Sequence, residues 1–315
     1  MSVLCVGEAL IDMICTDKGS ALSDGQNFLK KPGGAPTNVA AAIAALGGKV
    51  SLSAKVGDDP FGKHLIDVMN GFKVDTTHVL KDKDHFTTFA FVSLMLDGER
   101  DFVFNRGADA QLNVEEIKAI NLHNFSIIHF GSATGFLPGP LKEAYFYLLM
   151  EAQRREKIIS FDPNYRHLLF GEKQEDFIHC SKEFMQFADF MKLSDEEAML
   201  ITRSSSLEEA TQALLHMCRG VFAITLGKDG TLLGLKNQTL IIPSIPIQPV
   251  DTTGAGDAFV GGILYQLDQM GKKVNELSEK EWIALVKNAN KAGARTCEFM
   301  GAMEAFKHLN NSIFN

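Results

Sequence analysis

The sequence predicts an α/β fold in which helices flank a doubly wound, mostly parallel sheet and a smaller β-sheet lies beside it. Short apolar segments typical of buried strands alternate with longer helical patterns along most of the chain, as expected of parallel strands joined by crossover helices. Residues 87–105 instead contain two strand-like stretches in succession. A chain of 315 residues with 45% hydrophobic content can bury a core of this size.

The alternating part can be followed element by element. It contains strand-like segments at Val3–Val6, 49–55, 126–130, Ile158–Phe161 and Val221–Thr225. Helical patterns lie between or after them, over 38–46, 61–70, 140–155 and 207–218. Ligands of doubly wound sheets bind beyond the carboxyl ends of the strands. The segments directly after the strands are therefore candidate site segments: Gly7-Glu8, Gly131-Ser132, Asp162-Pro163-Asn164 and Leu226-Gly227.

The segment that interrupts this alternation predicts a hairpin. Strands over 87–96 and 99–105 flank Asp97-Gly98, a pair typical of tight hairpin turns. Phe102 and Phe104 are two residues apart, so both side chains lie on the same face of their strand. The alternative interpretation is an ordinary antiparallel edge of the main sheet.

The most specific local pattern is the heptad DTTGAGD at residues 251–257, which an apolar helical run follows at once. Gly254 and Gly256 let the backbone turn tightly and allow a bulky group to approach it closely. Because the first N–H groups of a helix have no partner inside the helix, this turn can bind an anion such as phosphate. Asp257 adds a carboxylate, which either stabilises the helix N-terminus or accepts a proton from an attacking hydroxyl.

Composition and charge argue against several classes of function. The formal net charge of −8 and the lack of a dense basic run disfavour nucleic-acid binding. No stretch approaches the roughly 20 apolar residues of a membrane span, and the first residues lack the basic start expected of a signal peptide. Five scattered cysteines suggest neither a disulfide framework nor a metal-binding pair, so we expect a reducing, cytoplasmic location.

The heptad and five further segments together resemble the ribokinase-like (PfkB) family of sugar kinases. The heptad is similar to the family's C-terminal signature, and PGGAPTNVA at 32–40 is similar to its N-terminal signature. GEALID at 7–12, VGDDPFG at 56–62, DPNYR at 162–166 and TLGKDG at 225–230 follow in the family's order. The chain contains neither the G-x-x-x-x-G-K-[ST] pattern of P-loop enzymes nor the motifs of protein kinases.

This resemblance covers essentially the whole chain and implies one ribokinase-like kinase domain over residues 1–315. The small β-sheet, formed by about residues 13–33 and 87–106, is then a lid that folds over the sugar. The implied reaction is ATP-dependent phosphoryl transfer to a sugar hydroxyl. Asp257 is implied to be the base that accepts the hydroxyl proton, and the backbone N–H groups of Gly254, Ala255 and Gly256 hold the charge that builds on the transferring group.

The resemblance also implies which residues bind the sugar. These are Asp12, Gly33, Gly34, Asn38, Arg106, Asn164 and Arg166. Asp12 and Asn38 are the strongest candidates, since a carboxylate accepts two hydroxyl hydrogen bonds and an amide both donates and accepts. Asn38 could instead cap the helix that follows it, and Arg106 and Arg166 could be surface salt-bridge residues.

For the nucleotide and its cations, the resemblance implies ATP, Mg²⁺ and, as a further candidate, K⁺. The nucleotide positions are Lys192, Ser194, Glu197, Thr225, Gly227, Gly230 and Asn290. Glu197 matches the glutamate of the family's N-x-x-E motif, which acts on Mg²⁺ indirectly, although Ser194 stands where asparagine is typical. The acidic run around Glu197 could also be an exposed helix start. Asp251 and Thr253, beside residues 297–302, are the candidate K⁺ ligands.

Within the family, segments 7–12 and 33–38 are most similar to fructokinases, which implies D-fructose as the substrate and fructose 6-phosphate as the product. The alternatives are 2-keto-3-deoxygluconate, 5-dehydro-2-deoxygluconate and ribose, and a sugar acid needs a cation such as Arg106 near its carboxylate. A sugar-binding regulator without catalysis is a further alternative, which an intact Asp257 disfavours. The expected partners are the sugar and ATP, with no nucleic acid or membrane, and the apolar lid face offers a homodimer interface.

Overall fold

Two sheets and their flanking helices make up residues 2–95, 100–236 and 238–314, which the computed structural model describes. The strands are β1 (Val3–Val6), β2 (Leu10–Cys15), β3 (Phe28–Gly33), β4 (Val50–Gly57), β5 (Val79–Asp82), β6 (Phe89–Leu94), β7 (Arg100–Asn105), β8 (Ile127–Phe130), β9 (Ile158–Phe161), β10 (Phe190–Ser194), β11 (Val221–Thr225), β12 (Thr231–Leu235) and β13 (Gln238–Ile242). The helices are α1 (Ala35–Ala45), α2 (Pro60–Gly71), α3 (Val114–Lys118), α4 (Pro140–Arg154), α5 (His167–Phe170), α6 (Gln174–Met185), α7 (Asp195–Thr202), α8 (Leu207–Met217), α9 (Ala255–Met270), α10 (Glu279–Thr296) and α11 (Ala302–Phe306).

The large sheet has the strand order β13-β12-β11-β10-β9-β8-β1-β4-β5. Its strands from β11 to β5 pair in parallel, and β12 and β13 add an antiparallel edge. The chain runs from β1 to β4 and β5 on one side and returns to β8 on the other side. The carboxyl ends of β1 and β8 therefore flank a topological switch point, where doubly wound sheets bind their ligands. The predicted fold class is confirmed.

The central strands of the large sheet are buried on both faces, which explains why they are mostly apolar in the sequence. All four residues of β1 and of β8 are buried. Helices α1, α2, α9, α10 and α11 cover one face, with Trp282 and Phe306 in its core. Helices α3, α4, α6, α7 and α8 cover the other face, with Tyr145 and Phe184 in its core. The core thus lies in two layers, one on each side of the sheet.

The small sheet is separate, with the strand order β3-β2-β6-β7. Strands β2 and β3, and likewise β6 and β7, pair antiparallel, whereas β2 and β6 are parallel. The rings of Phe102 and Phe104 stack with centroids 6.2 Å apart, as their spacing predicts. The prediction of a second sheet is confirmed, and its alternative, an edge of the main sheet, is wrong. The predicted turn at Asp97-Gly98 lies outside the described residues.

Helix α1 begins at Ala35, three residues before the predicted start. Pro36 suits the first turn of a helix, because proline lacks only an N–H that would have no partner there. The chain around it is also buried against Glu8. Within the described part of the chain, no helix is both long enough and apolar enough to cross a membrane.

Candidate active site

Glu8, directly after β1, joins the elements around the switch point. Its side chain is buried, and its Oε1 accepts the N–H of Ala35 at 3.0 Å, at the start of α1. Its Oε2 accepts hydrogen bonds from the hydroxyls of Ser132 and Thr134, just after β8. Burial raises the pKa of Glu8, although the hydrogen bond from Ser132 opposes this. The sequence places Glu8 in a candidate site segment, because this segment directly follows a buried strand, but predicts no role for its side chain.

The heptad forms the N-terminus of α9. Gly254 is the residue before the helix, with φ 82° and ψ 0°, a left-handed conformation that glycine adopts most easily. A Cβ at this position would overlap the Cβ of Ala302. The N–H of Ala255 donates to the carbonyl of Thr252 at 3.2 Å. Among the residues that the structure describes, the N–H groups of Gly254, Gly256 and Asp257 have no acceptor, so they are free to bind an anion.

Asn38 and Asp257 meet across the two helices that start at the site. The Asn38 Nδ2 donates to the Asp257 Oδ2 at 2.8 Å. Asn38 lies inside α1, whose N-cap is Gly34, so its amide does not cap the helix. Burial raises the pKa of Asp257, and the Asn38 hydrogen bond and the charges of Lys192 and Arg166 lower it in part. A raised pKa suits a carboxylate that accepts a proton near neutral pH.

Asp12 brings the small sheet into the same site. It lies on β2, opposite Lys31 of β3 and Ala90 of β6. A Cβ at Gly33 would overlap the Asp12 Oδ2, so the glycine leaves the space that this carboxylate fills. Burial raises the pKa of Asp12 to about 6, the charge of Arg166 opposes this shift, and Glu8 adds to it.

Lys192 and Asp162 form a buried ion pair beneath the turn. The Lys192 Nζ lies 3.3 Å from the Asp162 Oδ2, and the side chains are 11% and 2% exposed. A Cβ at Gly256 would lie 3.3 Å from the same Nζ, which places the ammonium directly against the anion-binding turn. Burial raises the pKa of Asp162, although the charge of Lys192 opposes this. Burial alone would lower the pKa of Lys192, but the charges of Asp162, Glu197 and Asp257 raise it.

Glu197 is buried rather than part of an exposed helix start. Its Oε1 accepts the N–H of Tyr165 and its Oε2 accepts the N–H of Ser194, both at 2.7 Å. The Ser194 hydroxyl accepts the N–H of Glu197 at 3.1 Å and so caps α7. Asn164, whose φ is 49°, donates from Nδ2 to the carbonyl of Gly131 at 3.2 Å. These bonds tie the segment after β9 to its neighbours after β8 and β10.

Two predicted site residues use their side chains inside the protein. Arg106 forms an ion pair with Asp109 at 3.3 Å and donates to the carbonyls of Pro138 and Thr134. The Asn290 Oδ1 accepts the hydroxyl of Thr231 at 2.6 Å, and its Nδ2 donates to the carbonyls of Ile242, at the end of β13, and Pro243. Arg166, in contrast, is exposed, with a hydrogen bond to the carbonyl of Tyr165.

Two turns contain further predicted positions. Residues 225–230 hold three of the nucleotide positions, and residues 251–253 hold the two candidate K⁺ ligands. Gly227 and Gly230 both have positive φ, and a Cβ at Gly230 would overlap the carbonyl of Ile242. The Thr225 hydroxyl donates to the carbonyl of Leu193 at 3.3 Å. Asp251 accepts the N–H of Thr253 at 3.0 Å and that of Gly301 at 2.7 Å. The 251–253 turn therefore lies against the 297–302 segment.

Comparisons with known proteins show the family to which the chain belongs. The model of the pfkB family of carbohydrate kinases matches residues 1–308. Fructokinase-1 of Oryza sativa subsp. japonica is 35% identical over 309 residues, which cover 96% of this chain and 93% of the relative. The crystal structure of fructokinase from Vibrio cholerae O395 with fructose, ADP and a calcium ion bound is 31% identical, with a TM-score of 0.82 and coverage of 100% of this chain and 98% of that one. A double mutant of that enzyme, in a form with fructose, ADP and a potassium ion bound, gives the same identity and TM-score, with coverage of 100% and 97%. The chain belongs to the pfkB family of carbohydrate kinases.

Proposed function

We propose that the protein is a fructokinase, which transfers the terminal phosphoryl group of ATP to D-fructose and yields fructose 6-phosphate and ADP. The observation that carries this proposal is the contact between Asn38 and Asp257 beside the free N–H groups of α9. It supplies a proton acceptor and an anion site next to each other. The fructokinase relatives, which match over nearly the full chain, support fructose as the sugar.

The chain's own residues account for the proton and for the developing charge. The Asp257 Oδ2 is held by Asn38, which leaves Oδ1 to accept the proton of the sugar hydroxyl. As the hydroxyl oxygen bonds to phosphorus and the bond to ADP breaks, the free N–H groups of Gly254, Gly256 and Asp257 stabilise the charge on the transferring group. The Lys192 ammonium lies against the same turn, next to Gly256, and adds a positive charge there.

The residues present fit an indirectly held Mg²⁺. Both oxygens of Glu197 accept backbone N–H groups, so this carboxylate would reach the ion through water, as Mg²⁺ in kinase sites commonly allows. In the described ranges, no three His, Cys, Asp or Glu side chains are grouped to hold a metal by themselves. When bound, the ion would neutralise the phosphate oxygens of ATP.

A screen of sugars tests the substrate. ADP release would be measured with D-fructose, ribose, 2-keto-3-deoxygluconate, 5-dehydro-2-deoxygluconate and no sugar. We expect the highest kcat/KM with fructose, because Arg106 is already paired with Asp109 and offers little to a substrate carboxylate. A higher kcat/KM with a sugar acid would overturn the choice of fructose. No ADP release with any sugar, together with sugar binding, would indicate the regulator instead.

We propose that the small sheet is a lid over the sugar and that its apolar part pairs with a second copy of this chain. The lid is supported by Asp12, a sugar-binding candidate that lies on this sheet. The dimer is supported by Ile14, Leu29, Val92 and Phe102, which the register places side by side on one face of the sheet. Ile14 and Leu29 are 40% and 45% exposed. Analytical ultracentrifugation should show a dimer for the parent and a monomer for Leu29→Lys. A parent protein that stays monomeric at micromolar concentration contradicts the dimer.

We also propose K⁺ activation and a cytoplasmic location. The Asp251 and Thr253 oxygens lie beside the 297–302 segment, and a potassium ion is bound in a related fructokinase structure. Activity should be modestly higher in K⁺ than in Na⁺ at equal ionic strength, and equal activity in both salts would contradict this proposal.

The cysteines support the proposed cytoplasmic location. All five are unpaired, which fits a reducing compartment.

A further inference from the structure

We propose that Asp162 is a positioning residue, which holds the Lys192 ammonium against the anion-binding turn of α9 and away from the carboxylate of Asp257. The proposal rests on the sugar-kinase function proposed above, because it concerns the same site. It gives a role to a residue that follows β9 directly and whose carboxylate binds the Lys192 ammonium and the backbone N–H of Asn164.

Geometry fixes Asp162 as the partner of Lys192. The Nζ lies 3.3 Å from Oδ2 and 3.5 Å from Oδ1 of Asp162, so both carboxylate oxygens face the ammonium. Oδ1 also accepts the N–H of Asn164 at 3.1 Å, which fixes the orientation of the carboxylate. Because the pair is largely buried, removal of either side chain leaves the other without its charged partner, and each side chain fixes the position of the other.

Other carboxylates compete for the same ammonium. The charges of Asp162, Glu197 and Asp257 all act on Lys192. Both oxygens of Glu197 are already bound by backbone N–H groups, whereas Asp257 has one oxygen without a described partner. If Asp162 lost its charge, Asp257 would be the carboxylate best able to attract the ammonium. A carboxylate paired in that way is a weaker base, because the opposite charge lowers its pKa.

The position of the ammonium therefore serves the reaction in two ways. Next to Gly256, it stabilises the negative charge that builds on the transferring group. Held by Asp162, it leaves the free oxygen of Asp257 open to the sugar hydroxyl. Three further titratable groups interact with this cluster. Arg166 lowers the pKa of Asp257 and of Asp12, and Glu197 raises that of Asp162. His129 is the third, and burial and the charge of Lys192 lower its pKa.

Two single variants should change the pH profile in opposite directions. In Asp162→Asn, the acid limb of kcat/KM should move to lower pH by about 1 unit or more, and kcat should fall several-fold. In Lys192→Met, which removes the cation near Asp257, the limb should move to higher pH. Asp189→Asn is the matched control: Asp189 is a half-buried carboxylate directly before β10, at the end of the sheet opposite to the site, and it accepts the N–H of Ile159. Its profile should equal that of the parent.

A double variant keeps the test valid if Asp162→Asn folds poorly, since that change leaves a buried ammonium without its partner. Asp162→Asn combined with Lys192→Met removes both charges, so it should melt closer to the parent and return the limb toward the parent pH, while kcat stays low. A carboxyl ¹³C NMR titration of Asp257 reads its pKa without turnover, so the proposal is tested even if fructose is not the substrate. Shifts in the same direction, or no shift, in the two single variants would show that Asp162 is only structural.

Discussion

Asp12, Asp162 and Asp257 are the same residue type in three electrostatic settings. Burial raises the pKa of all three carboxyls. A different cation or amide then acts most directly on each: Arg166 on Asp12, Lys192 on Asp162, and Asn38 on Asp257. Within the described residues, only Asp257 combines such a setting with the free N–H groups of a helix N-terminus. This combination distinguishes the proposed base from its neighbours.

Asp257→Asn tests the proposed base. The amide keeps the size of the side chain and can still accept the Asn38 hydrogen bond, but it cannot take up a proton near neutral pH. A positioned general base contributes ~10²–10⁴-fold to the rate, so we expect kcat to fall at least about 10²-fold, while sugar and ATP bind with near-normal affinity. Steady-state kinetics and isothermal titration calorimetry measure the two quantities.

Asp268→Asn is the control for this substitution. Asp268 lies near the other end of α9 and accepts the hydroxyl of Ser126 at 2.6 Å, which an asparagine can also do. Its kcat should equal that of the parent. If Asp257→Asn folds and retains a parent-like kcat, Asp257 only stabilises the helix N-terminus and the mechanism is wrong.

For single residues, the sequence predicts the roles that a motif implies and misses the roles that only contacts define, even where the residue lies in a motif, as Glu8 and Asp162 do. Asn38 and Asp257 belong to separate signatures, and the structure joins them at 2.8 Å. The role of Glu8 depends on Ser132, 124 residues away, and that of Asp162 depends on Lys192, 30 residues away. No local pattern encodes such pairs. Arg106 shows the opposite limit, because the family resemblance implies a role in sugar binding while Asp109 and two carbonyls hold its guanidinium.

Among the elements, α9 carries both the anion site and much of the packing against α1 and α10. Its two flanking glycines, Gly254 and Gly271, both have positive φ, at 82° and 62°. They differ in their surroundings. A Cβ at Gly254 would overlap Ala302, whereas a Cβ at Gly271 would meet no atom within 4 Å. Substitution of the two glycines therefore distinguishes the cost of a left-handed backbone, which both share, from the cost of a steric overlap with Ala302, which only Gly254 has.

Gly254→Ala and Gly271→Ala should have different effects for this reason. A left-handed alanine costs about 1–2 kcal/mol, which is the whole expected loss of stability for Gly271→Ala, with kcat unchanged. Gly254→Ala adds a steric overlap that displaces the turn, so it should lose more stability and lower kcat severely. Thermal unfolding and steady-state kinetics measure both. Equal effects of the two substitutions would show that the packing of the turn against Ala302 is unimportant.

The strands also show why the sequence predicts some of them and not others. Strands β9 and β11 are mostly apolar and contain no charged residue, and their predicted bounds match the structure. Strand β10 was not predicted, because Lys192 interrupts an otherwise buried segment. Positions where a local pattern fails are often functional, and this lysine lies beneath the proposed phosphate site. The start of α1 was placed too late because its first N–H is satisfied by Glu8, 27 residues earlier.

In the whole molecule, the site lies where the two sheets meet. Asp12 comes from the small sheet, and Asp257 and Arg166 come from elements of the large one. Two threonines anchor the small sheet's hairpin at its base. Asp59 accepts hydrogen bonds from the N–H and the hydroxyl of Thr87, both at 2.8 Å. The Thr88 hydroxyl accepts the N–H of Gly107 at 2.9 Å. The part of the hairpin between Thr88 and Gly107 can therefore be replaced while the hydrogen bonds of Thr87, Thr88 and Gly107 are kept.

Replacing residues 90–104 by a short glycine-serine turn tests the proposed lid. A closed lid excludes water that would otherwise take the place of the sugar hydroxyl, so the deletion should raise ATP hydrolysis relative to sugar phosphorylation. The ratio of ADP released to sugar phosphate formed, near one in the parent, would rise well above one. Thr87, Thr88 and Gly107 remain, so the base of the hairpin should hold, and an unchanged KM for ATP with a cooperative unfolding transition would show that the nucleotide side is intact. If that protein still forms one sugar phosphate for each ADP, the small sheet does not protect the reaction from water.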